Sequence, residues 1–381
     1  MSIGAIDRSY TPEAVVAATR AADFAVIGAG HGGQAMAGYL AVRGCSVNLF
    51  NKTPEKLEPI RFRKGISLRG QVERFGKLNL ITHDIDEAVA RARVIMVVIP
   101  ATGHRDVARL CAPHLEDGQI VVLNPGRTGG AIEFEHTLRE YGCRANVTVA
   151  EAGTFIFASR ASGYGEATIF GIKKTVPLAA LPADRTPLVL EALRSVFPQF
   201  VAAENVLETS LDNMGAIFHP ALTLLNAARI EGTSGDFDYY HEGISPSVAR
   251  VLEAMDSERV AVAAALGVRA RTALEWLGRA YGARGKDLYE AVLDTEGYSG
   301  IRAPATLRHR YIFEDVPASL VPMASLGDVL GVPAPTIRNI IHLASVVHEI
   351  DYWTLGRTVD RLGLAGLSPA EIRRRVMEGG V

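Results

Sequence analysis

The stretch that most constrains this chain is residues 23–33, DFAVIGAGHGG. Phe24 to Ile27 form a short apolar run suited to a buried parallel strand. Gly28, Gly30 and Gly33 follow with GxGxxG spacing, ahead of a helical pattern, QAMAGYLAVRG. Each glycine answers a steric need: Gly28 permits the tight turn, Gly30 lets backbone approach a pyrophosphate, and Gly33 lets the helix lie close on the strand. A second apolar run, SVNLF at 46–50, completes a βαβ-sized unit. An isolated glycine triplet fits any Gly-rich βα turn. In this context Gly28, Ala29, Gly30, His31, Gly32 and Gly33 read as a phosphate cradle at a helix N-terminus, where free N–H groups and a partial positive charge favour anions.

The choice of nucleotide falls at the end of the second strand. A site for NAD places Asp or Glu there to bind the ribose 2′-hydroxyl, whereas a 2′-phosphate prefers neutral or cationic partners. The chain has Asn51, Lys52 and Thr53. Lys52 and a hydroxyl attract phosphate where a carboxylate would repel it, so the expected cofactor is NADP, with NAD as the alternative and Lys52 as a plain surface lysine in that case.

Further along, RVIMVVIP (93–100) reads as a buried strand, and a helix is expected to start near Asp84 before it. Loops after the strands of a doubly wound sheet face the ligand, which places Pro100, Ala101 and the residues up to His104 beside the cofactor. QIVVLNPGRTGGA (119–131) repeats the logic: Asn124, Pro125, Gly126, Thr128 and Gly129 either shape the nicotinamide end of the site or form an ordinary βα turn. A strand in 146–155 carries Glu151 at its end, and 167–181 is expected as one edge strand. From about residue 205 apolar residues recur at helical spacing, with helices expected near 245–266, 270–282, 286–293, 322–331 and 335–348. The expected fold class is α/β plus all-α: a Rossmann-type doubly wound sheet in residues 1–205, then a helical substrate domain in 206–381, with the cleft at their junction. Residues 11–22 are expected as a short added helix with Thr11 as N-cap and Pro12 in its first turn.

At 381 residues the chain has room for two cores. A net charge of −2, with Lys and Arg scattered, offers no nucleic-acid face. Cys45, Cys111 and Cys143 have no metal-ligand spacing, so no metal is expected and a reducing compartment is. No apolar run has the length or placement of a signal peptide or membrane span, which points to the cytoplasm and to small-molecule substrates rather than a membrane partner. The helical C-terminal part is compatible with a homodimer.

Two stretches hold residues fit for chemistry. His219 precedes Pro220, whose ring biases His219 away from the α region, so the helix is expected to break or restart there and free the imidazole for a cleft; a satisfied core histidine is the bland alternative. Thr223 and Asn226, four and seven residues on, share its face if the helix continues. In TLRHRYIFEDVPASLVP (306–322), Arg308, His309 and Arg310 precede Glu314 and Asp315, and Pro317 and Pro322 are expected to end any regular element. An arginine suits a substrate carboxylate and a carboxylate suits orienting an imidazole; a solvated ion-pair cluster is the plain reading.

Together, the glycine fingerprint, NMGAIFHPALTLLNAARIE, YYHEGISPSVARVLEAMDSER and RYIFEDVPASLVP resemble the opine dehydrogenase family, also called the octopine/nopaline dehydrogenase family, over nearly the whole chain after residue 22. The resemblance implies reductive condensation of an L-amino acid with a 2-oxo acid, commonly pyruvate, using NAD(P)H. It places the acid/base on His219, its carboxylate partner on Asp315 and a substrate-carboxylate site on Arg310. It offers Asn213, Thr223 and Asn226 as positioning residues, and Tyr240, His241 and Glu242 as a border of the amino-acid pocket. Relatives using NAD would be expected to carry an acidic residue where Asn51 stands. Two-domain reductases acting on ketopantoate, 3-hydroxy acids or glycerol 3-phosphate share the layout, and several of them use a lysine on the first helix of the second domain. No lysine occurs between Asn205 and Ile230, so histidine must do that work. A non-catalytic NADP sensor would need the glycine loop but not His219, Asp315 and Arg310.

Overall fold

The computed structural model describes residues 22–379. The helix expected at 11–22 therefore lies outside the described residues, except that Ala22 opens the first strand. Among the described residues there are twelve strands: β1 (Ala22–Ile27), β2 (Val47–Phe50), β3 (Gly65–Gly70), β4 (Phe75–Lys77), β5 (Leu80–Thr82), β6 (Ala92–Val97), β7 (Ile120–Leu123), β8 (Thr148–Ala152), β9 (Phe157–Gly163), β10 (Glu166–Ile172), β11 (Val176–Leu181) and β12 (Phe200–Ala202). Eight form the main sheet in the order β12-β11-β8-β7-β6-β1-β2-β5. From β5 to β8 all neighbours are parallel, and β11 turns the sheet antiparallel at β8.

The chain order reverses at β1, which lies between β2 and β6. The loops after β1 and β6 consequently diverge and leave a crevice at the carboxyl ends of the strands, the place where such sheets bind ligands. The expected edge strand at 167–181 is instead two strands in different sheets. Lys173 to Thr175 break the run; β10 joins a small sheet of order β4-β3-β10-β9, and β11 lies inside the main sheet, whose edge is β12.

Alternation along the strands divides the core between the two faces of the sheet. Phe24 and Val26 of β1 point with Met96 and Val122 toward helix α1 (His31–Val42), whose Ala35, Met36, Ala37 and Leu40 belong to the same cluster. α1 is apolar nearly all round because the small sheet covers its other side: a methyl group at Gly38 would meet Leu68 at 2.9 Å. Buried Gln34 ties these layers, donating to Ala29 O (3.2 Å) and accepting from Gly165 N (2.7 Å). On the opposite face Ala25, Ile27, Ile95 and Val97 enter a cluster that continues without a break into Leu207, Leu211, Ile217, Leu222, Leu252 and Met255 of the helical part.

The sheet-flanking helices α2 (His104–Cys111) and α3 (Gly130–Glu140) are followed, after β12, by α4 (Val206–Leu211), α5 (Met214–Leu225), α6 (Pro246–Ala265), α7 (Ala273–Tyr281), α8 (Leu288–Asp294), α9 (Arg310–Phe313), α10 (Val321–Leu330), α11 (Pro335–His348) and α12 (Pro369–Glu378). Two expectations about proline are corrected. α5 runs through Pro220, because its buried apolar flank outweighs one lost backbone hydrogen bond. Pro317 and Pro322 do not end the structure either: they occupy the first turns of a π-helical segment, Val316–Leu320, and of α10, where a missing N–H costs little. No helix among the described residues is long and apolar enough to cross a membrane.

Candidate active site

The glycine loop meets the steric demands of a dinucleotide. A Cβ at Gly33 would lie 1.7 Å from Gly28 O, so no other residue lets α1 approach β1 this closely, while a Cβ at Gly30 would meet nothing within 4 Å. Among the described residues no side chain caps the start of α1, and Phe155 lies over Gly32. Open space and uncapped amides at a helix start fit a pyrophosphate. His31 Nδ1 accepts from Ala161 N (3.0 Å), fixing the small sheet beside the loop. Asn51 spans the loop from the end of β2, accepting from Ala29 N (3.2 Å) and donating to Thr53 O (3.1 Å); Lys52 is exposed and Thr53 half-buried. A nicotinamide dinucleotide therefore fits the residues present.

Across the crevice the residues of the two sequence stretches meet. His219 Nδ1 and Asp315 Oδ2 lie 2.8 Å apart, with the carboxylate fully buried and the imidazole 19 % exposed. α5 presents His219 from one side, and Asp315 heads the π-helical segment on the other. Burial by itself would push the Asp315 carboxyl up, but the Arg127 guanidinium and the bond to His219 outweigh it and hold it below the usual carboxylate range. An ionised Asp315 only accepts, so Nδ1 carries the hydrogen and Nε2 has no protein partner among the described residues. The ring stacks on Tyr311 at 4.1 Å and 20°. The Tyr239 hydroxyl donates to the His219 carbonyl (3.0 Å) and pairs with Thr223 Oγ1 (2.8 Å).

Arg127, which the sequence reading passed over between Gly126 and Thr128, sits at the centre of the charges. Its Nη1 is 3.3 Å from Asp315 Oδ1, its Nε 3.5 Å from Glu314 Oε1, and Nη1 also reaches Asn213 Oδ1 at 3.5 Å. Only 13 % of the side chain is exposed, and its backbone is left-handed at φ 61°. That conformation costs a non-glycine residue about 1–2 kcal/mol, which the ion pairs offset. The local signal was a charged residue in a turn otherwise rich in glycine. Arg310 is 53 % exposed and holds Glu314 Oε2 through Nε (2.9 Å) and Nη2 (2.8 Å); Glu314 Oε1 also accepts from Ala101 N (3.3 Å). Two arginines and two carboxylates therefore balance around the imidazole.

The remaining candidates divide. Asn213 begins α5 without capping it, because its side chain serves Arg127 and donates to Ser319 Oγ (2.9 Å). Thr223 is fully buried, so it reaches His219 only through Tyr239 and does not face the cleft. Asn226 ends α5, and its amide is taken up by Leu222 O and Gly243 O, a turn-holding role. Tyr240 is buried in a stack on Tyr298 at 4.0 Å, while the exposed Glu242 pairs with Arg229 and the half-buried His241 bonds Thr295 O. Pro100 is exposed beside the crevice; Ala101 is buried with its N–H on Glu314. Asn124 is buried and donates to Val122 O (2.8 Å). Gly126 abuts Glu151, which accepts from Thr209, Ser210 and Ala131 N and so joins β8 to α4 and α3.

Comparison with known proteins decides the family. The chain is 42 % identical, over 93 % of its length and 98 % of the relative's, to an opine dehydrogenase from Arthrobacter sp. (strain 1C). Residues 202–348 match the family described as NAD/NADP octopine/nopaline dehydrogenase, alpha-helical domain. The chain belongs to the octopine/nopaline dehydrogenase family. It is accordingly an NAD(P)-dependent oxidoreductase of the opine dehydrogenase type. Residues 23–126 match the NAD-dependent glycerol-3-phosphate dehydrogenase N-terminus, in keeping with the nucleotide-binding sheet that this family shares with other dehydrogenases. The Agrobacterium tumefaciens protein ocs is 26 % identical over 93 % of the chain and 98 % of its own. In fold, the chain resembles octopine dehydrogenase solved with NADH and agmatine (TM-score 0.78, 21 % identity, 92 % of this chain and 97 % of that one). It also resembles yersinopine dehydrogenase with NADP+ bound (TM-score 0.73, 16 %, 93 % and 95 %).

Proposed function

We propose that the chain condenses an L-amino acid with a 2-oxo acid, pyruvate foremost, and reduces the resulting imine to an N-(carboxyalkyl) amino acid, preferring NADPH, and that it runs the reverse oxidation. The observation that carries the reading is the 2.8 Å contact between His219 and Asp315, beside Glu314, which accepts from Ala101 N in the loop after β6. The division falls near residue 205, with the nucleotide on the sheet and the substrates on the helical side. Gly28 to Gly33 hold the pyrophosphate, Asn51 closes the loop, and Lys52 with Thr53 receives the 2′-phosphate. The bound nicotinamide supplies or accepts the hydride. His219 moves protons: carbinolamine formation and dehydration need a group that both gives and takes a proton near neutral pH, and an imidazole held in one tautomer does both through Nε2. Asp315 stabilises the imidazolium. Arg310 presents its exposed guanidinium to a substrate carboxylate. Because the surrounding arginines and carboxylates cancel, protonation of His219 leaves the site with one unmatched positive charge, which favours a dianionic opine.

The test follows oxidation of NADPH and NADH in parallel with pyruvate and pooled L-amino acids, omitting one component at a time. Oxidation requiring both the amino acid and the oxo acid is expected; oxidation with the oxo acid alone would make the enzyme a simple oxo-acid reductase. Lys52→Glu is expected to lower the NADPH-over-NADH preference in kcat/KM on the order of tenfold, the equivalent of about 1.4 kcal/mol. An unchanged ratio would remove Lys52 from the cofactor site.

A further inference from the structure

Arg357 lies far from the two motif stretches, in a segment after α11 with no strong periodicity, and is only 3 % exposed. Its guanidinium uses all five N–H donors. Nε donates to Glu133 Oε2 (2.6 Å); Nη1 donates to Gly126 O (3.0 Å) and Thr128 O (3.2 Å), with Ala318 O at 3.5 Å; Nη2 donates to Ala101 O (2.9 Å) and meets His104 Nδ1 at 2.9 Å. The backbone adds Arg357 N to Pro317 O (3.0 Å), beside Thr128 N to Ala318 O (3.2 Å). His104 is fully buried, and burial, reinforced by Arg357 and Arg127, keeps it neutral, so its Nδ1 is free to accept.

The acceptors are not scattered. Gly126 and Thr128 flank Arg127, Ala101 turns its N–H to Glu314, and Pro317 and Ala318 follow Asp315 in the π-helical segment. One side chain thus grips the loop after β6, the loop after β7 and the segment that begins at Asp315. A lysine has three donors on one point and cannot reproduce that planar fork.

We propose that Arg357 is a positioning residue for the reaction: by clamping the carbonyls on either side of Arg127 to the segment behind Asp315, it sets the Arg127–Asp315 contact and, through it, the state of His219. The inference rests on the dyad reading above. It acts at one remove, since Arg357 touches neither Asp315 nor His219.

The test uses the full chain with Arg357→Lys, which keeps a cation for Glu133. The expected result is a folded protein with NADPH affinity within about threefold of wild type, kcat reduced by about 10–100-fold, and the acid limb of the pH profile moved to higher pH as Arg127 loosens from Asp315. Combining it with Arg127→Met should cost no more kcat than Arg127→Met alone, because coupled residues are non-additive. In Arg357→Ala, added guanidinium should restore kcat in a concentration-dependent way and urea should not. An unmoved acid limb with full kcat, or additive losses in the double variant, would overturn the proposal and leave Arg357 a purely structural residue. Failure of both single variants to fold would do the same. An inactive His219→Ala beside a fully active Arg357→Lys would sink the clamp while sparing the dyad.

Discussion

His219→Ala is expected to lose about 10²–10⁴-fold in kcat while binding the reduced nicotinamide cofactor as wild type does, because the imidazole contacts Asp315 and Tyr311 rather than the glycine loop and its removal takes away proton transfer. The measurement is steady-state turnover beside a fluorescence titration of the reduced cofactor. Asp315→Asn should approach the same loss without unfolding the chain. An amide keeps the hydrogen-bond geometry to Nδ1 but accepts no better than it donates, so the ring can adopt the opposite tautomer and no anion remains to stabilise the imidazolium. Replacing the carboxylate of a serine-protease triad by an amide costs about 10⁴-fold for this reason. Near wild-type turnover in either variant would dismiss the dyad.

Arg127→Met should produce the largest loss of stability. Asp315 is fully buried, and removing one partner of a buried pair typically costs about 3–5 kcal/mol, because the remaining charge stays desolvated. Relief of the left-handed backbone is not available to methionine either, so the strain at φ 61° persists without the ion pairs that offset it. The sign with pH follows from the carboxyl. In the wild type the folded-state pKa of Asp315 is depressed, so its contribution to stability is present above the unfolded pKa and lost as pH falls through the folded one. Without Arg127, burial prevails and the pKa rises. The stability gap between wild type and variant should then be wide near pH 7 and narrow near about pH 4, and the acid limb of activity should move upward. Urea unfolding at the two pH values reads the first effect. A gap that is constant across pH would mean that Arg127 does not hold Asp315 ionised.

The nucleotide half was legible because its demands are local. The overlap between Gly33 and Gly28 is set within a handful of residues, and spacing in the sequence records it directly. The buried alternation of β1 and β6 was legible for the same reason. The dyad was visible only through likeness to a family; the two residues are 96 positions apart, and neither period nor composition brings them together. Arg127 and Arg357 were missed because a single arginine in a loop looks the same whether it is solvated or enclosed, and what encloses these two is tertiary. The supposed polar stripe on α5 failed for a definite cause. The helix stops at Leu225, so Asn226 turns to the backbone of the turn, and Thr223 points into tyrosine rather than toward the cleft. Pro220 misled in the opposite direction, since packing on both sides of α5 tolerates a missing donor that an exposed helix would not.

The apolar cluster that passes from Ile27 and Val97 into Leu211 and Ile217 makes the seam between sheet and helices a poor place to cut. A fragment ending near residue 205 would keep its fingerprint and lose the cover of one whole face of its sheet, leaving Ala25, Ile27, Ile95 and Val97 short of partners in water. Such a fragment is expected to aggregate rather than bind nucleotide, which soluble yield and light scattering would read; a monodisperse fragment that binds NADPH would contradict it. The same seam constrains ancestry: exchanging the helical half for that of a distant relative must carry along the matching residues on the sheet, so the halves inherit their changes as one piece.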